Sequence, residues 1–123
     1  MPLNGDVDYR QTKSFSRSVA ETLERQLPDR VVSRMTKSLR PGKLLVDWSQ
    51  NDDSKTTVCV YSMRAKERPT VSTPVTWDEV EGALEAGDAD LLTFDFRAVL
   101  ERVEERGDLF APVLSERQEL PAT

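Results

Sequence analysis

The 123-residue chain has the length of one domain, and 37% apolar with 32% charged residues is the composition of a water-soluble chain. Seventeen Lys+Arg against 22 Asp+Glu leave a net charge of -5, and the absence of histidine excludes Ser-His, Cys-His and His-ligated zinc chemistry for this chain alone. No run approaches the length of a bilayer span, and Asp6, Asp8, Arg10, Lys13 and Arg17 crowd the first turns, so neither a membrane span nor a secretory leader is expected and a cytoplasmic location follows.

Residues 1–8 read as a short strand and turn, with Asn4-Gly5 as turn chemistry. From Tyr9 to about Leu27 the apolar positions Phe15, Val19, Ala20, Leu23 and Leu27 recur at three- and four-residue steps. That spacing predicts a helix capped by Asp8 or Thr12 and terminated by Pro28. Val31-Val32 is a short strand candidate, and Thr36 to Arg40 a helical turn ended by Pro41-Gly42. Leu44-Leu45-Val46 reads as a strand covered on both faces. The polar stretch 49–54 then reads as a loop, and Thr56 to Tyr61 as the second strand of an antiparallel pair. After an irregular stretch over 62–75, Thr76-Trp77-Asp78-Glu79 has the pattern of a capping box. It opens a helix that Gly87 ends. A last helix runs from about Phe96 to Arg106, stops at Gly107 and leaves Leu109 to Leu114 as a packed tail. The class is α+β: an antiparallel strand pair with flanking helices.

The charge is unevenly distributed. Residues 1–70 hold 13 Lys+Arg and 9 Asp+Glu, whereas residues 71–123 hold 4 and 13. Between Arg25 and Arg68 there are ten cations and five acids, which suits a polyanionic ligand if folding gathers those cations on one surface and otherwise describes a solvated mixed surface.

Asp47 directly follows an apolar strand, a place where a carboxylate is held rigidly at a sheet end and can meet a metal; its other reading is a loop cap bonded to its own backbone. Lys43, Gln50, Asn51, Lys55 and Arg64 would lie near the same sheet end if the 43–61 hairpin forms. Cations beside a metal carboxylate are what a triphosphate requires. Trp48 and Trp77 are read as packing residues, although Trp48 could stack on a base, and Cys59 as an inert small hydrophobe without a disulfide mate.

The segment Ser33 to Asp52 (SRMTKSLRPGKLLVDWSQND), followed by KTTVCVYSMRA over 55–65, VSTPVTWDEV over 71–80 and GDLFAPVL over 107–114, resembles the polymerase domain of bacterial DNA ligase D, of the archaeo-eukaryotic primase superfamily. The resemblance implies a template-directed nucleotidyl transferase of non-homologous end joining, adding nucleotides at DNA ends with Mn or Mg. In that family three aspartates hold two metals, two from an Asp-x-Asp pair and one from the strand matched here by Val-Asp-Trp-Ser-Gln-Asn. Asp47 therefore resembles the third metal carboxylate and the catalytic acid of this stretch, a role suited to hard oxygen ligands. By the same resemblance Gln50 lies near the nucleotide sugar. Arg64, in Tyr-Ser-Met-Arg-Ala, resembles an arginine that grips the triphosphate, a job for a planar bidentate donor, and Arg40 resembles a basic residue close to primer or template.

The departures are as informative. Asp6-Val7-Asp8 has the Asp-x-Asp spacing but falls in the polar lead of the first helix, and Pro2-Leu3-Asn4-Gly5 resembles the segment that follows the family's Ser-x-His phosphate motif. Residues 1–123 thus read as a C-terminal fragment of a primase-polymerase fold, a partial ligase D polymerase domain whose N-terminal half is missing. A lone aspartate cannot hold two divalent cations, so the expectation is a chain inactive alone. Two further readings stand beside it: one half of a split polymerase whose N-terminal half is separately encoded, and a noncatalytic module binding DNA ends or nucleotides.

Overall fold

The computed structural model describes residues 2–121. The chain divides into two compact units, residues 1–57 with 116–123 and residues 58–115.

The first unit is built on α1 (Tyr9–Gln26). Asp8 caps it by accepting from the Gln11 amide, and the Gln11 side chain returns a bond to the Asp8 backbone. Such a box satisfies two orphan donors of the first turn and contributes about 1 kcal/mol. The helix, whose buried residue is Ala20, packs on β1 (Val31–Val32), where Val31, Val32 and Ser33 are all buried. Glu24, on the same helix, accepts from both the backbone amide and the hydroxyl of Ser33. A 3₁₀ turn over Lys37–Leu39 carries the chain to β2 (Leu44–Leu45), which pairs with β1 in parallel, Val31 opposite Leu44 and Val32 opposite Leu45. The pairing continues past the strand, because the Val46 amide donates to the Val32 carbonyl. A second 3₁₀ turn, Trp48–Gln50, packs on α1.

The second unit holds an antiparallel pair, β3 (Met63–Arg64) and β4 (Thr70–Val71), followed by α2 (Trp77–Ala86), α3 (Phe96–Arg106) and the single turn α4 (Pro112–Ser115). The capping box at Thr76 and Glu79 forms, and Gly87 ends α2 at φ +63, a left-handed conformation that glycine adopts without strain. Glu79 does a second job. Its carboxylate receives both terminal nitrogens of Arg102, whose guanidinium also lies 5.0 Å from the centre of the Phe94 ring and donates to the Pro74 carbonyl. One half-buried guanidinium thereby joins α3, the start of α2 and the segment between β4 and α2.

The fold class is the one expected, but the strand pair is not. Residues 43–61 form no hairpin: β2 is taken by β1, and the β-branched run Thr56 to Tyr61 carries no strand. Strand propensity measures fitness for a half-buried pleated surface, and without a partner this run is left exposed at Val58 and Cys59. The antiparallel pair falls instead inside the stretch read as irregular. Leu44 is 68% exposed, so β2 is open on one face, and residues 1–8 include no strand among those described. Trp77 is 82% exposed rather than packed, and Cys59 is on the surface.

Arg102 holds Glu79 well below its ordinary range, at about 2. A carboxylate whose folded pKa is depressed contributes stability that is complete above its unfolded value, here 4.5, and is lost as pH falls toward about 2. Replacing Arg102 with Met leaves a half-buried carboxylate without its partner. The expected outcome in chemical denaturation at neutral pH is a loss of about 2 kcal/mol, with a flatter decline of stability between pH 4.5 and 2 than in the parent.

Candidate nucleotide-binding and nucleic-acid-binding site

Asp47 stands where β2 gives way to the 3₁₀ turn Trp48–Gln50, and it is the cap of that turn. Its Oδ1 accepts from the Ser49 amide at 3.1 Å and from the Ser49 hydroxyl at 2.7 Å, and its Oδ2 accepts from the Gln50 side-chain amide at 3.4 Å. Ser49 Oγ in turn accepts from Lys55 Nζ at 2.9 Å. The Ser49 hydroxyl bond lowers the pKa of the Asp47 carboxyl most. Gln50, the Ser49 amide and the Lys55 charge add to this, and partial burial opposes it. The carboxylate is therefore ionised at neutral pH, exposed and fixed in direction. Asp47 and Gln50 come together as expected, and Asp47 fills the loop-capping role that its position allows.

The turn is anchored from below and from the side. Trp48 Nε1 donates to the Ser33 carbonyl at 2.9 Å, and the Arg17 guanidinium lies 5.0 Å from the centre of the indole ring. Half-buried and covered by a cation, Trp48 is a packing residue with a hydrogen-bonded handle, as its place beside the strand suggested. Asp52, in the following loop, pairs with Lys13 of α1, and the Lys13 and Ser54 contacts hold its carboxyl far below the usual range. The loop after Asp47 is thus tied to α1 by a half-buried ion pair, a tie that nothing in the residue spacing announces because the partners are 39 positions apart.

The other expected residues are on other elements. Arg40 is half-buried, and its guanidinium turns back to donate to the Met35 carbonyl just before the 3₁₀ turn. Lys43 donates to the Pro28 carbonyl at 2.6 Å and so belongs to the end of α1. Arg64 is exposed on β3, in the second unit, directly after a turn in which Tyr61 adopts φ +63. That unfavourable conformation is held by the Tyr61 hydroxyl donating to Asp108 at 2.6 Å and by the Tyr61 amide donating to the Ser72 carbonyl. Burial first and the Asp108 carboxylate second push the phenol above its ordinary pKa. Asp8, of the Asp-x-Asp look-alike, is occupied as the α1 cap.

Among the described residues no group of three or more His, Cys, Asp or Glu side chains converges to hold a metal. One carboxylate, already satisfied by three donors, does not make a dinuclear centre, so the donor set present does not fit two divalent cations. Among the described residues no helix is long and apolar enough to cross a membrane.

The family model of the LigD primase-polymerase domain matches residues 1–110. The multifunctional non-homologous end joining protein LigD of Mycolicibacterium smegmatis is 43% identical over 113 residues, which cover 92% of this chain and 14% of that protein. The bifunctional non-homologous end joining protein LigD of Bacillus subtilis is 30% identical over 122 residues, 98% of this chain and 19% of that protein. The solved polymerase domain from Mycobacterium tuberculosis Ligase D in complex with DNA shares its fold at a TM-score of 0.82 and 39% identity, over 95% of this chain and 39% of that chain. The chain spans a small part of each relative's length, and it belongs to the LigD primase-polymerase domain family.

Proposed function

We propose that this chain is part of a ligase D polymerase-type domain, serving nucleotidyl transfer at DNA ends in non-homologous end joining, and that residues 1–123 do not catalyse by themselves. The observation that carries the reading is the Asp47-Trp48-Ser49-Gln50 turn. It presents one ionised, oriented carboxylate at a strand end, within a sequence that matches the family over 110 residues.

In this reading Asp47 supplies one anionic oxygen ligand toward Mn or Mg, Gln50 lies beside the nucleotide sugar, Arg64 contacts the triphosphate and Arg40 supports the nucleic-acid side from within its turn. The remaining carboxylates would come from residues outside this chain. Removing two of three such ligands removes most of the electrostatic stabilisation on which phosphoryl-type transfer depends. A split polymerase completed by a separately encoded half shares this chemistry and differs only in where the other ligands reside. The noncatalytic DNA-end or nucleotide-binding alternative draws less support. Outside the stretch 25–68 the charge is acidic, and Arg40 and Lys43 are engaged within the chain.

The isolated chain, incubated with a primed DNA end, Mn and nucleoside triphosphates, is expected to extend no primer. Robust extension that Asp47→Ala abolishes would overturn the incompleteness. When the rest of a polymerase domain is supplied, extension is expected to appear, to fall about a hundredfold or more in Asp47→Ala, and to show a raised KM for nucleotide in Arg64→Ala.

The Ser49 hydroxyl is the largest influence lowering the Asp47 pKa, so Ser49→Ala is expected to move the carboxyl titration upward toward its ordinary value of 3.8. Carbon-detected NMR titration of the Asp47 side chain reads this directly. An unchanged midpoint would mean that the hydroxyl does not orient the carboxylate.

A further inference from the structure

Tyr61 stands in a backbone conformation that its side chain does not favour. Among the described residues only Asn4 and Tyr61 are non-glycine residues at positive φ, and asparagine, unlike tyrosine, visits that region routinely. Such an outlier persists only where its surroundings over-determine it. Here the Tyr61 amide donates to the Ser72 carbonyl at 2.8 Å, the Ser62 amide closes a turn onto the Cys59 carbonyl at 3.2 Å, and the Tyr61 hydroxyl reaches Asp108 Oδ1 at 2.6 Å. The acceptor is itself fixed. Asp108 Oδ1 also accepts from the Phe110 amide at 2.8 Å, directly after Gly107 has ended α3 at φ +72.

The left-handed residue is the point at which the chain enters the β3–β4 pair, since residues 55–60 carry no strand. The Tyr61 amide donates to the Ser72 carbonyl, and the Ser72 amide donates at 2.9 Å to the carbonyl of Ser62. Tyr61 and Ser62 thus stand together opposite Ser72, the two-against-one arrangement of a β-bulge, with tyrosine at a left-handed first position that glycine usually takes. A bulge re-aims the side chains that follow it, and those are Met63 and Arg64, paired with Val71 and Thr70. A pair of two residues a side has little of its own to hold register, and a slip of one residue turns every side chain to the opposite face. β4 is also tied to the Phe94 carbonyl through the Val71 amide, whereas β3 pairs with β4 only. Arg64 is exposed, and among the described residues its guanidinium makes no hydrogen bond or ion pair. Its direction is therefore set through the β3 backbone, and the bulge at Tyr61 leads that backbone in.

We propose that Tyr61 is a positioning residue whose hydroxyl, bonded to Asp108, locks the left-handed bulge that sets β3 in register and aims Arg64 at a nucleoside triphosphate. The proposal rests on the reading of Arg64 given above and deepens it, assigning a role to a phenol and a carboxylate that touch no substrate. The anchor comes from the end of α3, 47 positions from Tyr61. An arginine already aimed captures its anion without the entropic cost of ordering β3 at the moment of binding, so the hydroxyl acts on nucleotide capture and not on the chemical step.

Tyr61→Phe removes the hydroxyl and keeps the ring. In the 123-residue chain it is expected to speed amide exchange over residues 61–64 and at Ser72 by about tenfold or more while α2 and α3 exchange as in the parent. Asp108→Ala is expected to reproduce this loosening, and Asp108→Asn, which keeps an acceptor oxygen, to restore most of the protection; this exposed pair decides the matter if Tyr61→Phe does not fold. With the rest of a polymerase domain supplied, Tyr61→Phe is expected to raise KM for nucleotide about fivefold or more with kcat within about twofold of the parent, and to add nothing to Arg64→Ala. Unchanged exchange over 61–64 overturns the proposal. So does Asp108→Asn as damaging as Asp108→Ala, or a KM rise that adds in full to that of Arg64→Ala, which is what a merely structural role produces. Arg64→Ala without any effect on KM sinks the triphosphate reading instead, and the exchange measurements then decide by themselves whether Tyr61 positions Arg64.

Discussion

The parallel pairing of Val31-Val32 with Leu44-Leu45 sets the geometry of the first unit. β1 is the buried member. It packs on α1, is fixed at its end by Glu24 bonding to Ser33, and offers the Ser33 carbonyl to the Trp48 indole. β2 is the exposed member, and its direction is imposed by β1 rather than by burial of its own side chains. Because the pairing runs through Val46, the chain leaves the sheet at Asp47 in a defined direction. The carboxylate is thus positioned by backbone hydrogen bonds to a buried strand, and the Ser49 and Gln50 donors then fix its rotation. A carboxylate on a free loop would lose part of any ligand affinity to the entropy of ordering itself.

The same local bonds impose a limit. The oxygens that a cation would use accept from Ser49 and Gln50, and Lys55 reaches the site through the serine hydroxyl. One divalent ion at this carboxylate alone would compete with three donors and gain a single anionic ligand, while hard cations ask for six or more oxygens. Local order and chemical insufficiency come from the same few residues. What the turn provides by itself is the orientation of one carboxylate.

Local signals in the sequence carried the helices. The Thr76 capping box, the Gly87 stop, the Asp8 cap and the span from Phe96 to Arg106 were legible because each depends on residues within four positions of one another. Strand pairing was not legible. Leu44-Leu45 chose Val31-Val32 instead of Thr56 to Tyr61, and β3–β4 arose in a stretch punctuated by Pro69 and Pro74, because two-residue strands are selected by non-local partners that propensity does not encode. The family motif drew attention to Asp47 and Gln50, which the structure joins in one hydrogen-bonded turn. The ties from Lys13 to Asp52, Trp48 to Ser33 and Tyr61 to Asp108 join positions 15 to 47 residues apart, and no spacing rule finds them.

The exposed apolar residues and the solitary carboxylate bear on one question from different sides. Only five apolar side chains, Ala20, Val31, Val32, Ala83 and Val99, are buried among the described residues, whereas fifteen large ones stay at least 36% exposed. On α3, Phe96, Leu100 and Val103 continue the stripe on which Val99 is buried, so part of one apolar helix face stays in water. In the proposed polymerase reading the fixed Asp47 carboxylate finds its use when further carboxylates converge on it, and polypeptide that brings them can also cover apolar side chains left in water.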